Sequence, residues 1–161
     1  MSILRRSDAE IENAYQSYAD LMYRVAKAQL SSEADAQDAV QEAFVRYMTR
    51  APFFFGSEHE KAWLLRVTVN LCHDVARKKA RQNTVPLDEV AEISVEDDGA
   101  YCELLEELQT LPEHYREVVI LHGLEGFGLQ ECARILNISL SAAKMRWQRA
   151  REMLRQSLQE E

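Results

Sequence analysis

The sequence predicts an all-α chain of two small helical domains joined by a flexible acidic linker. Three observations carry this reading. Apolar residues recur at spacings of three and four on both sides of the middle, the mark of amphipathic helices. Only five glycines and three prolines occur in 161 residues, too few for a turn-dense β architecture. The charge is unevenly spread. Residues 1–81 hold 12 Lys/Arg and 11 Asp/Glu, and residues 108–161 hold seven of each. Residues 82–107 hold nine Asp/Glu and no Lys or Arg, so the net charge of −8 is central. With no amphipathic stripe over 82–100 and a new helix from about Tyr101, the domains fall at 1–81 and 101–161, with the linker at 82–100.

In the first domain, Ser7-x-x-Glu10 is a capping box for a helix with Ile11, Ala14, Tyr15, Tyr18, Leu21, Met22, Val25 and Ala28 on one face. Ser31 or Ser32 can cap a second helix, with Glu33 and Asp35 in its first turn. Its apolar face is Ala36, Ala39, Val40, Ala43, Phe44 and Tyr47, which leaves Asp38, Gln41, Glu42 and Arg46 on other faces. Pro52 and Gly56 bracket the loop Phe53-Phe54-Phe55, and at least one of these rings is expected to fold back into the core. A third helix runs from about Glu58 to Arg81. Trp63, Leu64, Val67, Leu71 and Val75 form one stripe, and Arg66, Asn70, His73, Arg77 and Arg81 form another.

Residues 82–100 carry Pro86, Asp88-Glu89 and Glu96-Asp97-Asp98 but no amphipathic stripe. Helices are then expected over about Tyr101–Gln109 and Glu113–His122, with Thr110-Leu111-Pro112-Glu113 as a stop and a second capping box. Leu129–Leu136, a break at Asn137-Ile138-Ser139 and a long basic helix from about Ser141 to Leu158 form a helix-turn-helix. Ala133 lets the two helices approach, and Leu136, Ile138 and Leu140 pack the corner. Ala143, Trp147, Ala150 and Leu154 face the core. Ser141, Lys144, Met145, Gln148 and Arg149 point elsewhere and can reach base edges in a major groove.

Other classes fit less well. The N-terminus lacks the apolar region of a secretion signal, and no apolar run nears the ~20 residues of a membrane span. Cys72, Cys102 and Cys132 make no CxxC pair, so a reduced cytoplasmic setting is expected. His59, His73, His114 and His122 are scattered, and there is no nucleophile elbow or phosphate loop. No enzyme, cofactor or metal site is expected. The basic runs Arg77-Lys78-Lys79-Ala80-Arg81 and Lys144 to Arg155 fit a solvated helix face as well as a phosphate-binding one.

Four segments, in order, resemble one family. They are Asp35-Ala36-Gln37-Asp38-Ala39-Val40-Gln41-Glu42-Ala43-Phe44; Ala62-Trp63-Leu64-Leu65-Arg66-Val67; Leu111-Pro112-Glu113-x-x-Arg116-Glu117-Val118-Val119; and Arg149-Ala150-Arg151-x-x-Leu154. Together they look like the extracytoplasmic-function sigma factors, the smallest members of the bacterial sigma-70 family, over about residues 8–158. The resemblance implies a sigma-2-like domain and a sigma-4-like helix-turn-helix domain. It implies an initiation factor that binds core RNA polymerase at the β′ clamp helices and the β flap. It also implies recognition of −35 and −10 promoter DNA, melting of the −10 region, and control by an anti-sigma factor.

Residue by residue, Asp38, Gln41, Glu42 and Arg46 match the polymerase-binding face. Phe54, Phe55, Ser57, Lys61 and Trp63 match the part that captures a flipped −10 base. Asn70 lies at the upstream edge of that element, with Arg66, Arg77 and Lys78 along the backbone. Ser141, Lys144, Met145, Gln148 and Arg149 match the −35 reader. The linker either threads the polymerase channel or serves as a tether. Ser141-Ala142-Ala143 departs from the family's common Gly-Thr-Val, so Ala142 offers no hydroxyl. The rival reading is a stand-alone helix-turn-helix regulator that binds duplex DNA unaided. A purely structural adaptor leaves the two basic helices unexplained.

Overall fold

A computed structural model describes residues 6–82 and 99–159, and every element among them is helical. The chain divides into two compact units, Met1–Val85 and Pro86–Glu161. Most of the expected linker lies outside the described residues. Its first residue, Gln82, ends one helix, and Gly99 and Ala100 begin another.

In the first unit, α1 (Asp8–Leu30), α2 (Glu33–Arg50) and α3 (Ser57–Gln82) pack pairwise into a three-helix core. Ser7 caps α1 by accepting a hydrogen bond from the Glu10 amide at 3.2 Å. The two serines between α1 and α2 divide the labour. Ser31, in the left-handed region at φ 56°, ends α1, and its amide donates to the Lys27 carbonyl. Ser32 is the N-cap of α2 and accepts from the Asp35 amide at 3.2 Å. Lys79 reaches Asp35 at 2.7 Å and ties the end of α3 to the start of α2.

The core of this unit is built on Met22, Val25, Ala36, Ala43, Tyr47, Leu64, Leu65 and Cys72, all buried. Burying each large side chain among them contributes roughly 1.5–3 kcal/mol. On α3 the buried set is Leu64, Leu65, Thr68, Val69, Leu71 and Cys72. That corrects the expected stripe, because Trp63, Val67 and Val75 are only half-buried. The reason is that α3 packs on both α1 and α2, and the face that meets them is rotated around the helix so that the expected stripe lies at its edge. Thr68 is tolerated inside because its hydroxyl donates to the Leu64 carbonyl at 2.8 Å.

The second unit holds α4 (Gly99–Thr110), α5 (Glu113–Val118), a π-helical turn (Val119–Leu124), α6 (Leu129–Leu136) and α7 (Leu140–Gln159). α7 packs on α5 and α6. Ser157 donates to Glu107 at 2.8 Å, which joins α7 to α4. The expected single helix over Glu113–His122 is therefore α-helical only to Val118 and π-helical beyond it. The expected capping box at Thr110 does not form. The Thr110 hydroxyl donates back to the Glu107 carbonyl at 2.6 Å, and the N-cap of α5 is Pro112, with no side-chain bond.

Arg116 satisfies the end of α4 instead. It donates to the carbonyls of Leu108 (2.9 Å) and Leu111 (2.8 Å), with a longer contact to Gln109 at 3.5 Å. Arg116→Ala is expected to lower the stability of this unit by about 3 kcal/mol, since charged donors are worth ~1.5–3 kcal/mol and buried carbonyls lose their partner. Faster amide exchange in α4, with α1 unchanged, checks this; equal exchange would refute it. Next to Arg116, burial pushes the Glu117 carboxyl up to about 8, helped by Glu113 and opposed by Arg146 and Arg116.

Candidate nucleic-acid and polymerase interface

The loop between α2 and α3 sorts its three aromatics. Gly56, at φ +123°, allows the sharp entry into α3 that a side chain would strain. Phe54 turns inward. It stacks on Tyr47 with ring centroids 6.2 Å apart and planes 11° apart, and it meets Trp63 edge-on at 5.8 Å. Phe53 and Phe55 turn outward and are 74% and 87% exposed. Their rings meet edge-on at 5.6 Å. The Phe55 amide donates to His59 Nδ1 at 3.1 Å, and the Phe55 and His59 rings are parallel within 10°, 6.0 Å apart.

The base of this loop, where α3 begins, is fixed from α1 and α2. The Tyr18 hydroxyl donates to the Ser57 carbonyl at 3.3 Å, and the Tyr47 hydroxyl donates to Glu60 at 2.8 Å. Burial, then the hydrogen bond and charge of Glu60, push the Tyr47 hydroxyl up to about 12, so it stays a donor. The result is an apolar, solvent-facing surface on a rigid support, which suits the face of an unstacked base.

Beyond the loop, Arg66 is half-buried, whereas Asn70, Arg77 and Lys78 are exposed further along α3. Arg77 pairs with Asp74 at 3.2 Å. Lys61 is half-buried and pairs with Glu58 at 3.1 Å, and Ser57 is exposed. On α2, Asp38, Gln41 and Glu42 are exposed, and Arg46 pairs with Glu42 at 3.5 Å. These residues form an acidic and polar face.

In the second unit the helix-turn-helix closes tightly. Asn137, left-handed at φ 56°, ends α6, and the Ile138 amide donates to the Ala133 carbonyl at 3.0 Å. Ser139 accepts from the Ala142 amide at 3.1 Å and starts α7 one residue earlier than expected. Leu140, expected to pack the corner, is exposed because it falls on the outer side of that first turn. Ala143 and Ala150 are buried against the unit. Ser141, Lys144, Met145, Gln148 and Arg149 all stand exposed, and Met145 is 49% exposed. Spacings of three and four put them on one face, free to meet a groove.

Sequence reasoning missed Phe53 and His59 at the loop. The triple aromatic run marked the place, but nothing local told which ring turns out. Burial pushes the Cys132 thiol up to about 11 and fits it for packing rather than for nucleophilic chemistry.

Residues 14–82 match the family model described as Sigma-70 region 2, and residues 103–154 match Sigma-70, region 4. The extracytoplasmic-function RNA polymerase sigma factor SigW of Bacillus subtilis (strain 168) is 31% identical over 160 residues, which cover 89% of this chain and 86% of SigW. The chain belongs to the extracytoplasmic-function sigma factors of the sigma-70 family. SigM of the same organism is 29% identical over 152 residues, covering 90% of this chain and 93% of SigM. SigE of Mycolicibacterium smegmatis is 28% identical over 153 residues, and the match spans 59% of that longer relative.

Two solved structures share the fold. The sigma factor RpoE of Bartonella quintana, in complex with the anti-sigma factor NepR, superposes with a TM-score of 0.71 at 23% identity, covering 93% of this chain and 97% of that one. CnrH in complex with the cytosolic domain of CnrY gives 0.69 at 22% identity, covering 96% and 91%. The family read from the four segments is thus the family found. This sigma factor is an alternative initiation factor for transcription, and the stand-alone regulator is not favoured. No helix among its described residues is long and apolar enough to cross a membrane.

Proposed function

We propose that this sigma factor acts in the cytoplasm, without catalysis of its own, by placing two recognition surfaces on promoter DNA while bound to core RNA polymerase. The domain assignment 1–81 for polymerase and −10 binding, 82–100 for the linker and 101–161 for −35 binding belongs to this proposal. The exposed face of α2, with Asp38, Gln41, Glu42 and Arg46, docks on the clamp helices of β′, and the second unit meets the β flap. Phe55 captures an unstacked −10 base beside Phe53, over a floor of Phe54 and Trp63, while Ser57 and Lys61 supply nearby polar groups. Asn70 meets the upstream edge of the element, and Arg66, Arg77 and Lys78 follow the phosphates. Ser141, Lys144, Met145, Gln148 and Arg149 on α7 read the −35 element. Gln pairs with adenine, Lys or Arg with guanine, and the Met145 side chain suits a thymine methyl. An anti-sigma factor, of the kind seen with the Bartonella relative, covers these faces when transcription is off.

The observation that carries the reading is the outward pair Phe53 and Phe55 on a loop whose base is held by the Tyr18 and Tyr47 hydroxyls. Gel filtration with sigma-free core polymerase tests it. The chain is expected to co-elute at sub-micromolar concentration, and Asp38→Ala to weaken that association by roughly tenfold, about 1.4 kcal/mol. Failure to co-elute, together with tight binding of the chain alone to duplex DNA, would overturn the proposal.

A further inference from the structure

The carbonyls at the end of α2 face a problem. The helix stops at Arg50, and its C-cap Ala51 is extended (φ −65°, ψ 137°) rather than left-handed. The usual return bonds of a left-handed cap are therefore lacking there. Arg6, from the segment before α1, fills the gap. Its guanidinium donates to the Ala51 carbonyl at 3.0 Å, to the Pro52 carbonyl, and more weakly to the Tyr47 carbonyl at 3.5 Å. The same group lies over the Tyr47 ring at 4.6 Å and the Phe54 ring at 4.8 Å. A planar fork with five donors can serve several carbonyls and two rings at once, which an ammonium cannot. A cation also suits the negative end of a helix.

We propose that Arg6 is a positioning residue for promoter melting, which holds Phe54 inward and so forces Phe53 and Phe55 outward. The chain alternates here. With Phe54 clamped between Arg6, Tyr47 and Trp63, its two neighbours are directed to solvent. Without the clamp, Phe53 or Phe55 can settle on the Tyr47 ring, and the base-stacking surface is lost. These Arg6 contacts fall on Tyr47, Ala51, Pro52 and Phe54, none of them among Asp38, Gln41, Glu42 and Arg46, so its effect is confined to the loop. The inference rests on the loop being the base-capturing element, and the controls separate the two.

The test uses holoenzyme reconstituted from core polymerase and the full chain. A duplex promoter is first selected by the wild-type holoenzyme from a randomised pool. Arg6→Ala, Arg6→Lys and Phe55→Ala are then compared by core co-elution, by permanganate reactivity of the melted thymines, and by exchange of the Phe55 amide. Arg6→Ala is expected to co-elute normally, to lose at least tenfold in thymine reactivity, and to exchange the Phe55 amide faster. Arg6→Lys recovers only a small part of either loss. Normal melting by Arg6→Ala, with Phe55→Ala defective, overturns the role of Arg6. Loss of core binding in both Arg6 variants also overturns it, because Arg6 then only supports the fold. Normal melting by Phe55→Ala as well overturns the reading of the loop itself.

Discussion

Replacing Phe53 and Phe55 together by alanine is expected to leave the chain folded and polymerase-bound while duplex opening fails. Both rings are largely in solvent, at 74% and 87% exposure, so their removal takes little from the core. Surface changes of this kind stay within about 0.5 kcal/mol of wild-type stability. Stacking of a base on an aromatic ring is worth about 1–3 kcal/mol, a factor of roughly 5 to 150 for each ring that engages a base. With both gone, permanganate reactivity of the −10 thymines should drop by roughly 30-fold or more. Binding through the −35 reader should persist. Phe54→Ala is the contrast. It removes the ring stacked on Tyr47 and clamped by Arg6, so it should cost fold stability as well as melting. If the double variant opens promoters at the wild-type rate, the outward rings are not the base platform.

That contrast also shows how far the sequence could be read. The helices of the first unit were legible because their apolar positions repeat at three and four, and the cap of α2 was legible as Ser31 or Ser32; that Ser32 takes it while Ser31 ends α1 was not. The polar face of α2 was legible as what the apolar face left over. The sorting of Phe53, Phe54 and Phe55 was not legible. It depends on Arg6, which lies more than 40 residues away and sits in no periodic pattern. The buried arc of α3 was misjudged because apolar residues alone set the expected stripe, whereas packing on both α1 and α2 rotates the buried face and takes in Thr68. The π-helical turn was hidden for a similar reason. One extra residue in a turn shifts the side-chain phase without changing composition. The amide of Glu125 bonds to the Ile120 carbonyl, five residues back, where an α-helix would use four.

That π-helical corner anchors the reading helix, and Trp147→Ala should expose its role. Trp147 meets His122 edge-on at 4.6 Å, and His122 is itself fixed by a 2.6 Å bond between Nδ1 and the Phe127 carbonyl. Gly123 leaves the room for the indole, since a Cβ there would sit 3.4 Å from the ring. Arg151, one turn on, lies over the ring, 5.8 Å from its centroid. Truncating a packed Trp costs about 3–5 kcal/mol, and the low end suits a half-buried ring. A unit of this size has only about 3–9 kcal/mol of stability in all. The loss should therefore bring the second unit close to unfolding at ordinary temperatures, with a midpoint fall of roughly 12–24 °C. The measurement has an internal control. The two tryptophans are Trp63 and Trp147, one in each unit. In the variant, fluorescence reports Trp63 and hence the first unit alone, while circular dichroism follows all the helices. An early helical loss with an unmoved Trp63 transition is expected. Gln148→Ala, on the exposed face of α7, should leave both transitions in place and change only the preferred −35 base. If instead Trp147→Ala unfolds no earlier than wild type, the corner does not hold the helix, and the exposed residues of α7 must be positioned by its other contacts, Ala143, Ala150 and the Ser157–Glu107 bond among them.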